Sequence, residues 1–139
     1  MATNTQFSIA VHILAALGYR GDEHTTSTQL AYSINTSPSF VRRTLAKLSR
    51  AGLVQTATGK GGECRLARDP RSVTLLDVYR AVEAPKAFAI HTYKAQKPCP
   101  VSCHIKSALE RTLTTTQQAM EASLAKVSLA EVVRNVKSA

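Results

Sequence analysis

Two groups of residues in this 139-residue chain have the types and spacing to do chemistry. The first is Cys99-Pro-Val-Ser-Cys103-His104, two thiols four positions apart with an imidazole beside them. Pro100 directly after Cys99 marks a helix start, so Cys99 falls at the cap and Cys103 one turn inside. A helix N-terminus with Lys97 and Lys106 nearby favours a thiolate, and an accessible thiolate is the form that peroxide oxidises. The second group is cationic. Between Thr36 and Arg71 stand Arg42, Arg43, Lys47, Arg50, Lys60, Arg65, Arg68 and Arg71, against Glu63 and Asp69. Eight positive and two negative charges put +6 of the formal +9 into about a quarter of the chain. A concentrated excess of this kind, with a pI near 9.9, calls for an acidic partner such as nucleic acid or a membrane surface.

The elements that position these groups are legible from period and punctuation. Phe7, Ile9, Ala10, Ile13, Leu14 and Leu17 recur at helical spacing, and Gly18 and Gly21 are expected to end that helix. Thr26 with Gln29 three residues on has capping-box spacing, and Leu30, Ala31 and Ile34 form the apolar face behind it. Ser37-Pro38 is a hydroxyl cap followed by proline at the first helical position. The helix it starts has Phe40, Val41, Leu45 and Leu48 on its core side and stops at Gly52. The period then changes to that of a hairpin: Leu53 to Ala57, a Gly59-Lys60-Gly61-Gly62 tip, and Cys64 to Ala67. Thr74 caps a further helix, and residues 84–98 have no clean period and read as a mobile connector.

A long helix is expected from about Pro100 to Lys126. Its apolar positions Ile105, Leu109, Leu113, Thr116, Met120, Leu124 and Val127 step by three and four. About 27 residues at 1.5 Å each give a rod of ~40 Å, too long for a small domain to bury, so its stripe needs a second copy of the chain. Ser128 with Glu131 repeats the capping-box spacing ahead of a short last helix.

Several classes are excluded or disfavoured. A hydrophobic share of 44% supports a packed core and argues against wholesale disorder. No apolar run approaches the ~20 residues of a membrane span. No signal peptide is expected, and three cysteines suit a reducing cytoplasm better than a disulfide scaffold. Nothing points to an enzyme: the glycine-rich tip lacks the Lys-Ser/Thr ending of a phosphate loop, and no paired carboxylates or nucleophile motif occurs. His12, in the apolar first helix, is expected to be a satisfied core histidine.

Helix, helix, tight turn, helix and glycine-tipped hairpin is the order of a winged helix-turn-helix. In that fold the third helix enters the major groove with its N-terminal residues on base edges. The expected fold class is therefore mainly α with a small β-hairpin wing, followed by a long C-terminal dimerisation helix. The candidate DNA-binding residues are Thr26, Ser37, Ser39, Phe40, Arg42, Arg43, Lys47, Lys60, Gly61 and Gly62. Arg42 and Arg43 are the candidate base readers, and Lys47 and Arg50 hold phosphates. The expected divisions are 1–83 for DNA binding, 84–98 as connector and sensor loop, and 99–139 for the dimerisation and C-terminal helices.

Several blocks together resemble the Rrf2 family of bacterial transcriptional regulators. They are Gln6 to Leu17, Ser39 to Leu48, Ala51-Gly-Leu-Val54, Gly59 to Gly62, Thr74 to Glu83, Cys99 to Ile105 and Ser128 to Glu131. The resemblance implies double-stranded DNA as partner, a palindromic operator and a homodimer, with a repressor as the expected role. It also implies a small-molecule or protein effector, or regulation through a partner enzyme. Members commonly keep an arginine just before the wing tip, where this chain has Thr58, with Lys60 two positions on. Many bind an iron–sulfur cluster through three cysteines in the connector and the start of the long helix, where this chain has two. No cofactor is therefore expected. The alternative is a cluster or zinc held by Cys99, Cys103, His104 and His91. As redox or effector candidates Cys99, Cys103 and His104 remain, with simple packing of the thiols as the competing reading.

Overall fold

The computed structural model describes residues 5–57 and 62–139, and the chain divides into two units, Met1–Ala84 with Leu124–Ala139, and Pro85–Ser123. In chain order the elements are α1 (Gln6–Arg20), β1 (Thr25–Thr26), α2 (Ser27–Ile34), α3 (Pro38–Arg50), β2 (Val54–Thr56), β3 (Glu63–Leu66), a 3-10 turn (Pro70–Ser72), α4 (Leu75–Ala81), α5 (Pro100–Ala125) and α6 (Leu129–Lys137). The structure is mostly helical, with one small antiparallel sheet and one long helix near the C-terminus.

The caps explain where most helices begin. Thr26 Oγ1 accepts the Gln29 N–H while Gln29 Oε1 accepts the Thr26 N–H, closing the expected capping box on α2. Thr74 and Asp77 do the same for α4. Ser37 Oγ accepts the Phe40 N–H at 3.2 Å and Pro38 occupies the first turn of α3. At α6 the Ser128 hydroxyl accepts the Glu131 N–H. The turn between α2 and α3 depends on Asn35 at φ 62°, a left-handed position that asparagine tolerates, with its N–H closing α2 onto Ala31 and Tyr32.

The sheet has the order β1-β3-β2. The hairpin register pairs Val54 with Leu66, Gln55 with Arg65 and Thr56 with Cys64. The two-residue strand β1, too short to leave a periodic signal, pairs Thr25 with Cys64 and ties the start of α2 to the wing. After β3 the Asp69 carboxylate accepts from the Arg71 guanidinium and backbone N–H, which together hold its pKa down to about 2.

The core of the first unit is built from Ala10, Ile13, Leu14 and Leu17 of α1, Leu30 of α2, Val41, Leu45 and Leu48 of α3, and Val78 of α4. Leu129 and Val133 of α6 complete it. Here the expected division at residue 99 does not hold: α6 belongs with the first unit. The physical reason is a strand-like clasp. The Leu75 N–H donates to Val127 O at 2.9 Å and the Leu129 N–H to Val73 O at 2.8 Å, seating α6 against α1. Gly18 also departs from expectation. It lies inside α1, and Gly21, at φ 63° with its N–H on Leu17 O, ends the helix alone.

In the second unit the connector is fastened along α5 instead of running free. The Ala87 N–H donates to Gln117 Oε1, the Gln96 N–H to Ser102 Oγ at 2.7 Å, and the Tyr93 hydroxyl to Ser102 O. None of the side chains of α5 is buried. Ile105, Leu109, Leu113 and Met120 are half-exposed along one stripe, with Gln117 at its middle in place of the exposed Thr116.

Candidate nucleic-acid interface and thiol site

On α3 the apolar positions Val41, Leu45 and Leu48 face the core, with Thr44 buried beside them and its hydroxyl on Phe40 O. That orientation leaves Ser39, Arg42, Arg43, Ala46 and Arg50 on the outer face. Phe40 is half-buried, and the Arg43 guanidinium lies 5.4 Å above its ring, an ordering contact for a long cation. Lys47 is half-buried too, and its Nζ donates to Gln6 Oε1 at 3.4 Å, so α1 shares its charge. Ser37 spends one lone pair on the Phe40 N–H, and its own hydroxyl proton stays available. Thr26 is engaged on both sides by its capping box and is half-buried.

Among the described residues, Arg71 is the one member of the basic run that forms an ion pair with a carboxylate. Arg65 donates to Gln55 Oε1 and Arg68 to Ser72 O, so both brace the wing and its exit. The charges of Arg42 and Arg43 are left facing outward in the first half of α3, and that of Arg50 at its C-terminal end. Of the wing-tip residues, Lys60 and Gly61 lie outside the described residues. Gly62 is described, and its φ of 53° is a left-handed value that glycine adopts freely.

The three thiols differ. Cys64 is buried in β3, donates to Thr25 O at 3.3 Å, and burial pushes its pKa up. Cys99 is exposed just before α5, and its Sγ accepts the Ser102 N–H at 3.4 Å, acting as a sulfur cap. Cys103 is partly exposed one turn on, its N–H donating to Cys99 O. His104 is exposed and His91 stacks on Tyr93, ring centroids 4.8 Å apart. The residue that sequence reasoning missed is Ser102. It receives Tyr93 and Gln96 and donates to Cys99, and its only advance signal is a serine three places past a helix-capping cysteine.

The Rrf2 family, described as iron-dependent transcriptional regulators, matches residues 3–135. The chain belongs to the Rrf2 family. It is 38% identical over 134 residues to YwnA of Bacillus subtilis (strain 168), named as an HTH-type transcriptional regulator, covering 96% of this chain and 98% of that one. Among solved structures, one described as a DNA-binding protein is 36% identical, with a TM-score of 0.72 over 91% of this chain and 97% of the other. The structure of CymR, the global cysteine regulator of B. subtilis, shares the fold at 20% identity, with a TM-score of 0.70 over 97% and 98% of the two chains. This Rrf2 protein is thus a DNA-binding transcriptional regulator of winged-helix architecture, not an enzyme.

The family description raises the question of iron. A cluster is commonly held by four ligands, mostly thiolates, and a structural zinc site likewise takes four sulfur and nitrogen donors. Here Cys99 and Cys103 are two thiols at one helix start, and Cys64 is committed to the wing sheet. Among the described residues no three His, Cys, Asp or Glu side chains converge to hold a metal ion. The donor set of this Rrf2 chain does not fit either group. No helix among the described residues is long and apolar enough to cross a membrane.

Proposed function

We propose that this regulator is a cytoplasmic repressor that binds a palindromic operator as a homodimer, with a signal read at Cys99 and Cys103. In this reading α3 enters the major groove with Ser37 and Ser39 on the backbone and Arg42 and Arg43 on base edges. The fork of an arginine matches guanine O6 and N7, the commonest specific contact there. Lys47 and Arg50 hold phosphates further along, Phe40 supports Arg43, and Thr26 sets the start of α2 against the backbone. Lys60, Gly61 and Gly62 bring the wing to the adjacent groove. The observation that carries the reading is the pair Arg42 and Arg43, exposed beside a hydroxyl-capped helix start and, among the described residues, without a carboxylate partner.

The dimer rests on α5, 26 residues long without one buried side chain. Its half-exposed stripe of Ile105, Leu109, Leu113 and Met120 requires a partner, and a twofold pair supplies one. The sensor reading rests on Cys99. Peroxide oxidation of its thiolate gives a sulfenic acid and hydroxide, and the Cys103 thiol then displaces water to form the disulfide. Positions one turn apart on a helix have near-parallel side chains, so that bond requires the first turn of α5 to unwind.

The test is fluorescence anisotropy on a duplex selected from a random pool, with and without mild peroxide, alongside light scattering. The expected result is a dimeric mass, affinity that falls steeply with salt, and loss of binding after peroxide that Cys99→Ser prevents. A monomer at micromolar concentration removes the dimer. Salt-independent binding, or binding only with a partner protein present, removes direct operator recognition. An unchanged peroxide response in Cys99→Ser transfers sensing away from α5.

A further inference from the structure

Among the described residues one buried side-chain nitrogen has no hydrogen-bond partner: Nε of Arg20, in the last turn of α1. Its guanidinium meets Glu23 through Nη2 alone, at 3.4 Å, which leaves the inner N–H unmet. The Arg20 side chain as a whole is 34% exposed, so the rest of its guanidinium stays open to an acceptor that arrives from outside.

Arg20 lines a groove of about 450 Å³ between α1, α2 and the end of α6, within the range of small-molecule sites. Two small residues, Ala15 and Ala16, open its floor, and Leu30 and Val136 supply apolar walls. Tyr19 flanks it, with the Lys137 ammonium 5.8 Å above its ring, and Arg20 meets Glu23 at this end. At the opposite end His12 Nε2 and Ser33 Oγ share a hydrogen bond of 3.0 Å. His12, expected in the core, is exposed and turned into this groove instead.

We infer that this groove is a binding site for a small hydroxyaryl carboxylate, its carboxylate on Arg20 and its hydroxyl on the His12–Ser33 pair. The dimensions agree. His12 and Arg20 are separated by about 12 Å along a helix rising 1.5 Å per residue. A benzene ring spans roughly 6 Å between a carboxylate and its para oxygen, and a hydrogen bond of about 2.8 Å at each end extends that reach along the groove. The apolar floor of Ala15 and Ala16 accepts the ring face, and the neighbouring Tyr19 offers an edge contact. The site is independent of the α3 contacts and of the thiols. Because α2 is both a wall of the groove and the first helix of the helix-turn-helix, occupancy also bears on how α3 is presented.

The experiment is calorimetric titration of the full chain with 4-hydroxybenzoate, benzoate and 4-hydroxybenzamide, with amide chemical shifts recorded in parallel. Saturable binding of 4-hydroxybenzoate is expected, with shifts centred on Ala15, Ala16 and Ser33 and binding of the neutral amide weaker by about tenfold or more. Arg20→Gln is expected to weaken 4-hydroxybenzoate by about the same factor, while Ser33→Ala weakens 4-hydroxybenzoate and spares benzoate. Absence of saturable binding, equal affinity for acid and amide, or shifts centred elsewhere overturns the assignment. The acid–amide comparison on the unaltered chain decides the matter even if Arg20→Gln unfolds.

Discussion

A Cβ added to Gly18 would stand 2.9 Å from Cγ2 of Val133, closer than two carbons can approach. Glycine in mid-helix costs about 1 kcal/mol relative to alanine, so α1 tolerates it here for the sake of α6. Gly18→Ala is therefore expected to destabilise the protein by about 1 kcal/mol, because overpacking of about 1–3 kcal/mol outweighs the gain in helix propensity. Val133→Ala in the same chain should restore the lost stability. Urea denaturation of the two single variants and the double variant reads the sign directly, and strictly additive losses would remove the contact as the cause.

The two outward arginines of α3 should separate from the wing lysine. Arg42→Ala or Arg43→Ala is expected to cost about 1–3 kcal/mol on the selected operator and to relax preference at one base pair. Lys60→Ala should weaken all duplexes alike and shallow the salt dependence by about one unit of slope. Anisotropy over a series of single-base operator variants distinguishes these outcomes. If both arginine variants bind the operator as tightly as the parent, α3 does not read it.

Ser37 carries two roles that one substitution pair can separate. Ser37→Ala removes the acceptor for the Phe40 N–H and is expected to cost about 1 kcal/mol of stability, whereas Ser37→Asp keeps a cap. The aspartate should nevertheless bind DNA more weakly, since it brings a negative charge to the phosphates. Thermal unfolding and operator titration measured together check both signs.

Alkylation should rank the cysteines by exposure: Cys99 first, Cys103 next and Cys64 last. Iodoacetamide labelling of the native chain followed by mass spectrometry tests that order. For Cys64, burial raises the folded-state pKa, so its contribution is complete below the unfolded thiol value and is lost as pH rises through the folded one. Stability should therefore fall on the alkaline side past the ordinary thiol range, and Cys64→Ala should flatten that limb. A chain whose alkaline limb is unchanged by this substitution unfolds there for another reason.

What the sequence by itself determined was everything governed by neighbours three or four residues apart. Thr26 with Gln29 and Thr74 with Asp77 start helices because each pair closes its own hydrogen bonds, and Ser37 starts α3 by accepting the Phe40 N–H while Pro38 takes a position that needs no donor. The apolar steps of α5 and the outward placement of Arg42 and Arg43 follow from helical period alone. The family was legible because these local signals occur in one order. What only the tertiary structure decided involves partners far apart in the chain. The two-residue strand β1 exists because β3 is there to pair with it. The α6 helix joins the first unit because Val73 and Leu75 clasp Val127 and Leu129 from far away in the chain. Gly18 reads as a helix stop until Val133 is seen against it, and Ser102 reads as filler until Tyr93, Gln96 and Cys99 converge on it. His12 looked like a core residue because its helix is apolar, and it is exposed because Ser33 of α2 offers it a hydrogen bond at the rim of a groove.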